Sequence, residues 1–174
     1  MTILSPSSIT QIRYPAIFVR AVVRVLQNEG GYVKLAADPG GETSFGISHR
    51  DYPALDIRNL TREAAIGIYF RDFWSVGRYH DLPDLVALKL FDLSVNMGPA
   101  HAAKCLQRAL RACGNPITED GVIGDETVHA AAHADPAVLL GAFRSEAAGY
   151  YRSTAELSPR EAGFLEGWLS RAYQ

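Results

Sequence analysis

Twenty residues, Asn28 to Ile47 (NEGGYVKLAADPGGETSFGI), constrain this chain more than any others. They follow directly on an apolar run of helical period and hold five glycines, at 30, 31, 40, 41 and 46. An ordinary surface turn needs one or two glycines for its positive φ. Five imply a backbone folded tightly on itself, or one that a ligand approaches closely. A helix that stops here must hand over to a compact, irregular loop and not to a second long helix.

The rest of the chain reads mostly as helix. From Pro15 to Asn28, the residues Ile17, Phe18, Ala21, Val22, Val25 and Leu26 recur at helical spacing, with Arg20, Arg24 and Gln27 opposite. A proline enters that helix, and Gly30 and Gly31 close it. Short extended pieces at Tyr32–Leu35 and Ser44–Ile47 read as a small hairpin. Thr61 caps a helix carrying Ala64, Ala65, Ile68, Tyr69 and Phe73. Pro83 opens another whose apolar positions Leu85, Leu88, Leu90, Phe91 and Val95 nearly encircle it, the mark of a central helix. Gly98 and Pro99 divide it from the next, which runs to Cys113. A short helix at 126–133 and a long one capped by Asp135-Pro136 follow. Ser158-Pro159-Arg160-Glu161 reads as a capping box that opens a final helix to about Tyr173. The expected fold is mainly α, with a small β-hairpin excursion after the first long helix.

At 174 residues, one domain with a C-terminal subdomain is expected. The 17 basic and 19 acidic residues give a net charge of −2, so no large electrostatic term favours nucleic acid, and no nucleic-acid partner is expected. No run reaches the ~18 apolar residues of a membrane span. The opening residues, MTILSPSSITQIRYP, lack the pattern of a secretory signal. Cys105 and Cys113 lie eight apart on one expected helix, about 12 Å, too far for a disulfide. Two thiols fit a reducing compartment.

Candidate chemistry gathers on the glycine-dense stretch. Glu29 stands where the first helix ends, facing the negative end of the helix dipole. That field, with partial burial, would raise the carboxyl toward the range of a general acid; the plainer alternative is an exposed acid at a helix end, against which the glycine-dense loop argues. Asp38 precedes Pro39-Gly40, so it either bonds its own turn or serves as a carboxylate that orients water; both roles can hold at once. Thr43 offers a hydroxyl partner. A helix-end acid facing loop-borne polar groups is a layout that glycosidic hydrolysis can use. Asp92 and Asn96 lie four apart on an otherwise apolar helix, where a polar stripe either braces the core or lines a cleft. Turn chemistry accounts for Asp120 to Thr127. His129 and His133 have zinc-like spacing, but Ala130 stands where H-E-x-x-H needs glutamate, so no metal is expected. Trp74 and Trp168, near helix ends, suit core or rim packing more than sugar platforms.

These residues resemble a known family. Glu29-Gly30-Gly31-Tyr32, Asp38-Pro39-Gly40-Gly41-Glu42-Thr43 and Phe45-Gly46-Ile47 are similar to the corresponding motif of glycoside hydrolase family 108. These are lysozyme-like N-acetylmuramidases of phage endolysins and bacterial secretion-activator proteins. The likeness continues through Phe91-Asp92, Asn96-Met97-Gly98-Pro99 and Asp120-Gly121-Val122-Ile123-Gly124. It ends with Phe164-Leu165-Glu166-Gly167-Trp168 and Arg171.

The resemblance implies a lysozyme-like catalytic part over 15–98 after a flexible lead-in, 1–14. A helical, peptidoglycan-binding part over 99–174 is implied to pack with it as one globular unit. It further implies hydrolysis of the β-1,4 bond from N-acetylmuramic acid to N-acetylglucosamine, with Glu29 as catalytic acid and Asp38 and Thr43 assisting. Ser44 competes with Thr43, because it holds the place that phage-type lysozymes give to threonine, and Glu42 is a second nearby acid. Tyr32, Gly41, Phe45 and Asn96 are implied to bind substrate, peptidoglycan glycan strands. Inversion is expected by analogy, and no cofactor. A monomer is expected to reach the cell wall through a holin or similar pore. Two alternatives stay open: a non-catalytic wall binder that helps secretion, and a glycosidase of chitin-like polymers.

Overall fold

The computed structural model describes residues 14–28, 33–34 and 42–174, and of Asn28, Val33 and Lys34 only the backbone. Two compact units divide the chain, Met1–Val76 and Gly77–Gln174.

In the first unit, α1 (Ala16–Asn28) begins where the Pro15 carbonyl accepts a hydrogen bond from the Val19 amide at 3.1 Å. Its apolar stripe, Phe18, Val19, Ala21, Val22, Val25 and Leu26, is buried, as its spacing demands. Beyond it lie β1 (Val33–Lys34), β2 (Glu42–Ser44) and β3 (Ile47–Ser48), an antiparallel sheet in the order β1-β2-β3. Thr43 stands opposite Val33 on one side and Ser48 on the other.

Ser44–Ile47 is therefore not one extended piece. Ser44 pairs with Ile47 across a two-residue turn whose residues, Phe45 and Gly46, both have positive φ, 52° and 77°. Two such residues make the primed turn that matches the right-handed twist of paired strands.

Helix α2 (Arg62–Tyr69) starts on Thr61, whose hydroxyl accepts from the Ala64 amide at 3.2 Å. It runs into a π-helical turn, Phe70–Trp74, closed by the Ser75 amide donating to the Phe70 carbonyl at 2.8 Å. The extra residue in that turn places Phe70 and Trp74 together against Phe18, with ring centroids 5.1 and 5.4 Å from it. Tyr14, counted by sequence with the lead-in, joins the same cluster, 5.2 Å from Phe18 and 4.8 Å from Phe70.

The second unit is all helix among its described residues. A 3₁₀ turn (Tyr79–Asp81) leads to α3 (Asp84–Met97), buried continuously from Val86 to Ser94. It is the central helix that its sequence suggested, although Leu85 faces outward, 52% exposed. Gly98, at φ 87°, turns the chain directly into α4 (Pro99–Ala112). Then come α5 (Asp125–His133), α6 (Pro136–Leu157), a 3₁₀ turn (Ala162–Phe164) and α7 (Leu165–Tyr173). Helix α4 packs on α3 and α6, and α6 in turn on α3 and α7.

Asp135 caps α6 as expected, one carboxylate oxygen accepting from the Ala137 and Val138 amides, each at 2.9 Å. The expected capping box at Ser158 does not form. Ser158 closes α6, and its carbonyl accepts from the Glu161 amide at 2.9 Å; the Glu161 carbonyl then accepts from Phe164, also at 2.9 Å. These successive tight turns delay α7 to Leu165.

Candidate functional site

Of the residues that sequence nominates, Glu29, Tyr32, Asp38 and Gly41 lie outside the described residues. Their setting is nonetheless bounded on both sides. Helix α1 ends at Asn28, with no basic residue in its last turn. The chain returns to regular structure at Glu42.

Thr43 and Phe45 belong to the β2–β3 hairpin. Neighbouring strand residues point to opposite faces, and here the two candidate hydroxyls part company. Ser44 is 4% exposed, while Thr43 is half-buried and reachable. Phe45 holds the left-handed backbone conformation that few non-glycine residues adopt. The Tyr69 hydroxyl, from α2, donates to the Phe45 carbonyl at 2.8 Å and ties the turn to the helix. Nothing in the spacing of Tyr69 announced that role; its apolar neighbours marked it only as a core residue.

After the hairpin in sequence, the Tyr52 hydroxyl donates to Asp72 at 2.8 Å, and Arg71 grips the same carboxylate with two bonds of 2.6 Å. Arg71, first, and then Tyr52 hold the Asp72 carboxyl below its usual range. Burial first, then the bond to Asp72, pushes the Tyr52 hydroxyl up to about 12.

The second unit resolves the α3 stripe into two roles. Asp92, 1% exposed, braces the core: Arg171 of α7 reaches it through Nε and a terminal nitrogen, each at 3.1 Å. Lys89 lies 3.8 Å from the other carboxylate oxygen and donates to the Arg171 carbonyl at 2.8 Å. One turn on, Asn96 is exposed, and its Oδ1 accepts from the Tyr151 hydroxyl at 2.7 Å. Tyr151 is itself buried and stacks on Trp168, centroids 5.3 Å apart and planes 22° from parallel. Trp168 thus packs at the rim, whereas Trp74 is a core residue, 3% exposed.

Residues Asp120–Gly124 are held from within by the buried amide of Gln107. Its Nε2 donates to Asp120 at 2.7 Å and to the Val122 carbonyl at 3.0 Å, and its Oε1 accepts from the Gly121 amide at 2.8 Å. A glutamine in the middle of a helix carries no signal of such a role. The His129 and His133 rings lie tilted against each other, centroids 4.2 Å apart. Among the described residues, no three His, Cys, Asp or Glu side chains are grouped to hold a metal. Cys105 is buried and Cys113 half-buried, both as free thiols. No described helix is long and apolar enough to cross a membrane.

Comparison with known proteins divides the chain in two. Residues 22–98 match the family model described as glycosyl hydrolase 108, and residues 101–173 match a predicted peptidoglycan domain. No curated protein matches significantly. Among solved structures, "Structure of Brucella abortus SagA" is similar, with 28% identity over 90% of this chain and 89% of that chain and a TM-score of 0.76. The family boundary falls after α3, while the compact units divide at Val76 and Gly77, so α3 belongs to the hydrolase match but packs with the C-terminal helices.

Proposed function

We propose, from the premise that the chain belongs to the glycosyl hydrolase 108 family and carries a peptidoglycan domain, that it is an N-acetylmuramidase. Its substrate is cell-wall peptidoglycan, and the bond we assign is the β-1,4 linkage from N-acetylmuramic acid to N-acetylglucosamine. The observation that carries this reading is the family match over 22–98, which spans the whole stretch from the end of α1 to the hairpin.

In this mechanism Glu29, first residue beyond α1, is the general acid. The negative end of the helix dipole favours its neutral form, which protonates the leaving oxygen as an oxocarbenium-like centre develops. Asp38 activates water on the opposite face of the sugar, so the anomeric configuration inverts, a course that requires the two carboxyls to be ~6.5–9.5 Å apart. Thr43 helps hold that water, and its accessible position beside the buried Ser44 favours it for the task. Tyr32, Gly41, Phe45 and Asn96 bind the glycan. Residues 15–98 carry the chemistry and 99–174 the grip on the wall. Release through a holin-like pore and action as a monomer complete the reading.

The test is to incubate the protein and its Glu29→Gln variant with peptidoglycan sacculi and identify the soluble products by mass spectrometry. Fragments ending in reducing N-acetylmuramic acid are expected from the wild type. The variant should lose about 10²–10⁴ in rate, the usual worth of a general acid. Near-normal turnover by a folded Glu29→Gln protein would sink the assignment. Binding without fragments, where a control lysozyme cuts, would instead mark a wall binder.

A further inference from the structure

Two polar rows cross the second unit side by side, one turn of α3 apart. The inner row is closed: Asp92 is taken up by Arg171 and Lys89, all from α3 and α7. The outer row runs Asn96, Tyr151, Trp168, and it ends in an open position. The Tyr151 hydroxyl donates to the carbonyl oxygen, the acceptor end of the Asn96 carboxamide. An Asn side chain has one carbonyl and two N–H donors, so this bond turns the donor side outward on an exposed residue.

Tyr151 cannot swing away to release it. Its ring is 2% exposed and lies under Trp168, and Trp168 is held in turn by Phe164, 5.9 Å off, and by the Arg171 anchor three residues on. A buried phenol thus spends its only donor on fixing one exposed amide. The one bond does two things: it satisfies the buried phenol's donor, and it fixes the orientation of an exposed amide that water would otherwise leave free to turn.

We infer that Tyr151 is a positioning residue that presents the Asn96 amide N–H to the N-acetyl carbonyl of a glycan N-acetylhexosamine. The inference rests on the muramidase reading for the identity of the substrate, and it adds a residue from the C-terminal half to the binding machinery. An acetamido carbonyl is a strong neutral acceptor, and a pre-aimed amide donor meets it without losing side-chain rotational freedom on binding.

Tyr151→Phe keeps the ring and its stack and deletes only the hydroxyl. On soluble peptidoglycan oligomers, the variant is expected to raise KM about three- to tenfold, the worth of one neutral hydrogen bond, with kcat within twofold. Asn96→Ala should do the same, and the double variant should be no worse than Asn96→Ala, because the hydroxyl acts only through that amide. An unchanged KM in Tyr151→Phe would overturn the inference, as would equal losses in KM, kcat and thermal stability, or additive single effects. If the wild type cuts nothing, the muramidase reading fails by itself. Equilibrium binding of the same oligomers then decides between the same ratios of Kd and none.

Discussion

Each unit contains an aspartate gripped by an arginine, and the tighter grip is the weaker one. In the first unit Arg71 holds Asp72 with two bonds of 2.6 Å, between neighbours in sequence, and the arginine side chain is 66% exposed. In the second, Arg171 holds Asp92 at a longer 3.1 Å, across 79 positions, and the carboxylate is 2% exposed. Distance does not rank these pairs; water does. A solvated pair is screened and contributes little. A buried carboxylate would be costly unpaired, so its partners become indispensable whether or not the pair as a whole stabilises the fold. The first pair trims a surface, while the second fixes where α7 must sit.

The sharpest way to break the comparison is to remove each carboxylate. Asp92→Ala leaves Lys89 and Arg171 facing each other without their shared anion, and should cost about 3–5 kcal/mol in urea unfolding. A loss below 1 kcal/mol would mean that water already reaches the cluster. The first unit has its own equivalent in apolar form: Phe18→Ala, at the centre of the Tyr14, Phe70 and Trp74 cluster, should lose a similar ~3–5 kcal/mol.

A smaller effect is expected at Gln107. Replacing it by Leu strands the Gly121 amide and takes one of two donors from Asp120, which keeps the Val122 amide, for a cost of about 2 kcal/mol, with part of the loss recovered because that loop borders solvent. Hydrogen exchange at Gly121 should quicken with it. Tyr69→Phe removes the bond to the Phe45 carbonyl and should cost about 1 kcal/mol. Because that bond holds the hairpin bearing Thr43, cleavage of sacculi should fall further than stability does. Equal activity in this variant would show that the hairpin keeps its turn without α2.

How far the sequence foretold all this follows the same divide between local and distant. Helix limits at Pro15, Thr61, Pro83, Gly98-Pro99 and Asp135-Pro136 were legible because each is written in one or two residues whose backbone preferences act where they stand. The Ser158 box failed although its letters were right, since the preceding helix used Ser158 as its own stop. The Phe45-Gly46 turn hid because Phe is the wrong residue type for positive φ; Tyr69, 24 positions on, holds its carbonyl. The fates of Asp92 and Asn96 were undecidable locally: α7 supplies one partner and α6 the other, 79 and 55 positions away. For Glu29 and Asp38 the sequence motif and the family match remain the whole argument.

The exposed pair yields the smallest effect, and pH reads it most cleanly. Arg71, bonded to its carboxylate, holds the folded pKa of Asp72 below the usual aspartate range. A depressed carboxyl contributes stability that is complete above its unfolded value and disappears as pH falls through the folded one. Tyr52 behaves in the opposite sense. Its folded value is pushed from 10.0 to about 12, so its contribution is complete below pH 10 and is lost as pH rises toward 12. Urea midpoints at pH 3, 7 and 11 should therefore be highest at neutrality. Asp72→Asn should remove its share of the acid slope, roughly half a kcal/mol for a pair this exposed. Tyr52→Phe should flatten the alkaline limb and leave the acid one nearly as steep. If Asp72→Asn lowered the unfolding free energy at neutral pH by several kcal/mol, water would not be screening the pair, and the contrast with Asp92 would have to rest on something other than burial.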